Sequence, residues 1–139
     1  MSPWRRWTLI VLTGAVALGA WYGTWLLVGD PGPDVLPLDP PGWWAGGWPA
    51  AGAALALVVA APMTAAWIML LLRHPRGRSA AFFAGGALMI WIMVQVLVIG
   101  YQLVLQPVML LLGTAIAALA WPLWGGRLSD EAPHPRAER

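Results

Sequence analysis

The chain has no cysteine, no lysine and no asparagine among its 139 residues. Without cysteine there are no disulfides, thiolate nucleophiles or Cys-ligated metals and clusters. Without asparagine there is no N-glycosylation acceptor. Without lysine, arginine supplies all eight fixed positive side chains. Charge of either sign is scarce: 10% of residues are charged, against about a quarter in a soluble domain. The apolar fraction is 60% and the mean hydropathy +0.69. A chain of this kind buries itself in lipid. Abundant Ala, Gly, Pro and Trp beside these absences reads as a GC-rich bacterial coding bias.

Four apolar runs are long enough to cross a bilayer: about 7–28, 50–72, 79–99 and 107–124. A hydrocarbon core of ~30 Å needs roughly 20 helical residues, with about 17 the practical minimum. Runs this continuous argue against a β-barrel. The expected fold is therefore all-α, a single membrane domain over 1–139 built as a bundle of four transmembrane helices. An outer loop occupies 29–49, and the polar, Pro-containing tail 125–139 reads as a disordered end.

The arginines set the orientation. Arg5 and Arg6 precede the first run, Arg73, Arg76 and Arg78 separate the second from the third, and Arg127, Arg136 and Arg139 follow the fourth. All eight lie on one side, while the other holds Asp30, Asp34 and Asp39 and no basic residue. The positive-inside rule then puts both termini in the cytoplasm of an inner (plasma) membrane protein. Tryptophan agrees. Trp4, Trp7, Trp67, Trp121 and Trp124 fall near the inner boundary, Trp21, Trp25, Trp43, Trp44 and Trp48 near the outer one, and only Trp91 lies well inside a span. The pI near 9.9 raises nucleic acid as a partner, but arginines clustered beside apolar runs are a membrane pattern, so none is expected. The first run also has the basic start and apolar core of a signal peptide. Its continuation to Val28, with Leu18 where a small residue is preferred, favours an uncleaved anchor.

The spans contain no Asp, Glu, His or Arg. Proton-coupled transport uses an intramembrane group that titrates, haem proteins need axial His or Met pairs, and acid–base catalysis needs paired titratable groups. No enzyme activity, catalytic residue, metal site or cofactor is expected. The three loop aspartates lack the D-x-D-x-D-G spacing of a calcium loop, and His74 and His134 have no ligand-spaced partner.

Other features concern packing. Ala15, Gly19 and Gly23 recur every four residues on one face of the first helix, as in small-xxx-small contacts. That face serves either a dimer or ordinary packing within the bundle. Ala81 and Gly85 offer a similar notch on the third helix. Pro62, mid-way along the second, removes one backbone donor and crowds the carbonyl of Val58, which predicts a kink, with Thr64 near enough to help satisfy the backbone.

The stretch "WIMVQVLVIGYQLVLQP", 91–107, carries the polar candidates Gln95, Tyr101, Gln102 and Gln106. At 1.5 Å per residue, Gln95 lies roughly 25 Å from the inner edge of its helix, about 5 Å inside the outer boundary. It is expected to hydrogen-bond across to Thr24, Tyr22 or the fourth helix. Gly100 is expected to end the third helix and Pro107 to open the fourth as its first residue. Tyr101, Gln102 and Gln106 then cluster at the outer surface, as a hairpin seam or as a shallow pocket for a headgroup or partner. If the helix overshoots Gly100, the three glutamines share one face. With "LLLGTAIAALA" after it, this stretch resembles the C-terminal half of small four-span integral membrane proteins of actinobacteria, at Gln95, Ile99, Gly100, Tyr101, Leu105, Gln106 and Pro107. The resemblance implies a membrane protein of no assigned activity and carries no catalytic residues.

The leading functional expectation is a non-enzymatic structural or accessory subunit. The alternative is an oligomeric channel or small transporter for a neutral or lipophilic solute, using the Pro62 kink and a vestibule at Gln95, Tyr101 and Gln106. The expected partners are the lipid bilayer and either a second copy of the chain or a larger membrane protein.

Overall fold

A computed structural model of the chain describes residues 1–40, 42 and 45–121. Among them all regular structure is helical: α1 Pro3–Val28, α2 Gly47–Leu71, α3 Gly77–Ile99 and α4 Leu105–Ala120. Consecutive helices run up and down and pair in chain order, with α1 against α2 the most extensive contact and α3 against α4 the next. The first three are long and apolar enough to cross a membrane. The fourth has 16 residues, about 24 Å of helix, so it falls short of the expected 107–124. Trp121, just before Pro122, has left the helix with extended ψ, as a residue before proline does. Trp43, Trp44, Trp124, Arg127, His134, Arg136, Arg139 and the expected disordered tail lie outside the described residues.

The apolar surface is turned inside out relative to a soluble bundle. Leu57, Leu97 and Leu111 are 75%, 82% and 70% exposed on three different helices. A water-soluble protein does not present so many large apolar side chains; a bundle in lipid loses nothing by it. The interior is narrow and made of small residues: Ala17, Ala60, Ala66, Ala81, Ala84 and Ala120 are buried beside Leu9, Val59, Met63, Leu88 and Ile116.

Small residues bring the backbones together at two crossings. A methyl on Gly85 of α3 would meet the Gly113 carbonyl oxygen of α4 at 2.9 Å and the Ala117 nitrogen at 3.0 Å. The Ala81/Gly85 notch is therefore filled by α4 of the same chain. Gly52 of α2 similarly faces Leu27 and the Thr24 carbonyl of α1. The Ala15/Gly19/Gly23 face behaves differently. Ala15 and Gly19 are exposed, and only Gly23 has a close neighbour, the Leu55 side chain at 3.2 Å. Gly14, one residue from that face, is the position covered by Trp67, which is packed between helices instead of standing free at the boundary.

Pro62 is accommodated by a wide turn. Residues Ala56–Ala60 form a π-helical turn in which the Ala61 N–H reaches back to the Ala56 carbonyl. Widening the turn ahead of a proline gives its ring room where an α-turn would press it on the Val58 carbonyl. The Thr64 hydroxyl donates to the Ala60 carbonyl at 2.7 Å and accepts from the Trp21 indole of α1 at 2.9 Å.

At the arginine-bearing end, side chains cap helix C-termini across the bundle. Arg6 donates to the Leu70 and Leu71 carbonyls of α2, Arg5 to the Leu119 carbonyl of α4 at 2.9 Å, and Arg78 to the Trp121 carbonyl. The last carbonyls of a helix have no intrahelical donor and carry partial negative charge, so a guanidinium there is doubly favourable. The end of α2 is also closed by its own backbone. Arg73, at φ 55°, sends its N–H to Leu70, and His74 sends its N–H to Met69. This is a Schellman motif with arginine where glycine is usual.

Candidate functional site

The polar stretch identified in the sequence divides at Gly100. Its φ of 76° with ψ −177° is open only to glycine, and α3 ends at Ile99 as expected. The helix does not overshoot, so the three glutamines do not share one face. Tyr101 and Gln102 are exposed at the turn. Gln106 is not at the surface with them: it is 3% exposed. Its amide oxygen accepts from the Gln102 N–H at 3.2 Å and its amide nitrogen donates to the Gly100 carbonyl at 3.2 Å. One side chain thus satisfies both polar backbone groups that glycine leaves open in the turn. The fourth helix begins at Leu105, two residues ahead of Pro107. Pro107 still falls in the first turn, where a missing N–H costs nothing.

Gln95 is partly buried and makes no side-chain hydrogen bond to a described residue, so the expected bonds to Thr24, Tyr22 or α4 are not formed. The Thr24 hydroxyl is buried and also unpartnered. Gln95 instead borders a cavity of about 130 Å³ in the half of the bundle away from the arginine-bearing end. All four helices contribute to it: Gly19 and Gly23 from α1, Val59 from α2, Trp91 and Gln95 from α3, Gln106 from α4. Gly19 leaves open space where a side chain would stand. The Trp91 indole N–H is buried without a partner. The cavity is thus apolar with two amides and one indole at its edge. It can hold a few waters or one slim apolar group, and no lining group titrates near neutral pH.

The expected vestibule of Gln95, Tyr101 and Gln106 is therefore assembled only in part. The structure joins Gln95 and Gln106 at the cavity and leaves Tyr101 and Gln102 outside it. Sequence reasoning placed Trp91 mid-span without giving it a role; the available signal was its depth, since indole N–H groups in lipid need a partner. Asp30, Asp34 and Asp39 are exposed, and among the described residues no three metal-ligating side chains converge. No family model, curated protein or solved structure matches the chain.

Proposed function

We propose that the chain is a four-span protein of the bacterial inner membrane, with both termini cytoplasmic, and that it serves as a non-enzymatic structural or accessory subunit. The observation that carries this reading is the use made of polar side chains within the helices. Thr13 and Thr114 bond their own helix one turn back, Thr64 links α2 to Trp21 of α1, and Gln106 holds the α3–α4 turn. Gln95 and Trp91 leave polar groups unpaired at one small cavity and the Thr24 hydroxyl is unpartnered too, and the described residues of the apolar runs include no Asp, Glu or His to carry a proton. The exposed Ala15/Gly19 strip supplies a smooth surface on which another helix can seat closely, either from a second copy or from a larger membrane protein. The short α4 crosses where the bilayer thins around it, at modest cost. Kinship with the actinobacterial four-span proteins belongs to the same proposal and rests on the turn residues Gly100 and Gln106.

Proteoliposomes offered a broad panel of neutral and lipophilic solutes test the subunit reading. Flux no higher than in empty vesicles is expected, and specific flux abolished by Gly19→Leu would replace the proposal with a transporter. A reporter fused after Arg139 tests the orientation: activity confined to the outside of the cell would reverse it.

A further inference from the structure

The arginine-bearing end of the bundle is not used up by helix capping. Between the starts of α1 and α3 and the end of α2 lies a half-open hollow of about 420 Å³, bordered by Pro3, Arg6, Leu70, Arg73, His74 and Arg78. Three guanidinium groups and an imidazole face one space. Among the described residues no carboxylate accompanies them: the acidic side chains described, Asp30, Asp34 and Asp39, sit in the loop at the opposite end.

The donors still available can be counted. Arg6 spends its Nε and Nη2 on the Leu70 and Leu71 carbonyls, which leaves both Nη1 hydrogens. Arg78 spends Nη2 on the Trp121 carbonyl, and its Nε is buried with no partner. A buried charged N–H without an acceptor is among the costliest omissions in a fold. Arg73 makes no side-chain hydrogen bond to a described residue, and its left-handed backbone, locked by the Schellman turn, holds its side chain at the rim. His74 accepts the Arg76 N–H on Nδ1 at 3.2 Å. With Nδ1 accepting, Nε2 is the ring nitrogen left to donate toward the hollow. The first turns of α1 and α3 add the positive ends of two long helix dipoles.

We propose that this hollow is a binding site for a phosphate group, and that the phosphate is borne on an anionic phospholipid headgroup. Phosphate is the chemistry that suits several guanidinium donors converging with no carboxylate beside them among the described residues, since its oxygens take bidentate charge-assisted bonds. The exposed Trp7, over which Arg6 lies at 5.9 Å, and the exposed Leu71 and Leu72 put the hollow at the edge of the apolar belt, at headgroup depth. The inference is independent of the subunit reading and of which side of the membrane this end faces.

The test is native mass spectrometry of the full chain in neutral detergent, titrated with phosphatidic acid or with phosphatidylcholine of the same acyl chains. Calorimetric titration with inorganic phosphate forms a separate arm. Phosphatidic acid is expected to be retained one per chain and at least tenfold more tightly than phosphatidylcholine. Arg73→Gln and Arg78→Gln should each weaken it about tenfold. Arg76→Gln, which removes the same charge outside the hollow, should change it less than twofold. Arg78→Lys keeps the charge but loses the buried Nε donor, and should fall with Arg78→Gln. Equal retention of the two lipids overturns the site. So does an Arg76→Gln loss as large as that of Arg73→Gln, since diffuse charge then suffices. Inorganic phosphate binding as tightly as phosphatidic acid keeps the phosphate site and overturns its lipid source.

Discussion

Two adjacent glycines of α3 separate packing from helix propensity. Gly85 and Gly86 share one helix, and replacing either by alanine brings a similar gain in propensity, about 1 kcal/mol in aqueous helices. Their surroundings are opposite. A methyl on Gly85 meets the Gly113 carbonyl oxygen at 2.9 Å, the Ala117 nitrogen at 3.0 Å and the Ile116 Cγ2 at 3.2 Å; a methyl on Gly86 meets nothing within 4 Å. Two of the three atoms facing Gly85 are backbone and cannot rotate away, so α3 and α4 must separate. Overpacking of this kind costs typically 1–3 kcal/mol. Because the two nearest atoms, at 2.9 and 3.0 Å, are backbone, the upper part of that range applies. After the propensity gain, Gly85→Ala is expected to lose about 1–2 kcal/mol, and Gly86→Ala to be neutral or slightly stabilising. At roughly 4 °C per kcal/mol for a chain this size, the two variants should differ in thermal midpoint by about 4 °C or more. The assay is thermal unfolding in one detergent, followed by circular dichroism at matched protein-to-detergent ratio. Coincident midpoints, or Gly86→Ala as the less stable variant, would refute an α3–α4 crossing at Gly85.

Three further outcomes follow from the same geometry. Gln106→Leu leaves the Gln102 N–H and the Gly100 carbonyl without their partner at a cost of about 1–3 kcal/mol, whereas Gln95→Leu, which breaks no bond, should cost under ~0.5 kcal/mol; amide exchange at Gln102 should accelerate only in the first. Thr64→Val removes the acceptor of the Trp21 indole and should lower stability by about 1 kcal/mol, measured by the same melting assay with Thr114→Val, whose hydroxyl bonds only its own helix, as the control. Arg73→Gly relieves a left-handed arginine and should raise stability by about 1 kcal/mol while weakening phosphatidic acid retention, so that stability and binding move in opposite directions in one variant.

The helical class and the positions of the apolar runs were legible because they depend on composition along one dimension. The absence of charge over some twenty residues admits little besides a spanning helix. Gly100 was legible for a local reason, since its backbone conformation is closed to other residues. Gln106 was misplaced because its neighbours, Tyr101 and Gln102, are surface residues and sequence adjacency suggested the same for it. Its burial comes from α4 starting at Leu105, which turns the side chain back under the hairpin. The Ala15/Gly19/Gly23 strip was read as a packing face from its spacing. Yet Gly14 and Gly52 make the close approaches between α1 and α2, and spacing alone does not tell which of two adjacent small-residue stripes a neighbour selects.

By itself, then, the sequence determined that the chain forms apolar helices with every arginine on one side of the runs and Asp30, Asp34 and Asp39 on the other, because hydropathy and charge act residue by residue. The tertiary structure decided which polar groups meet. It spent Gln106 on the turn, left Gln95 and Trp91 beside a cavity, answered Pro62 with a wide turn, and drew Arg6, Arg73, His74 and Arg78 around one hollow. Those juxtapositions depend on the rotation and crossing of helices, which small residues such as Gly85 and Gly113 set by how closely two backbones approach.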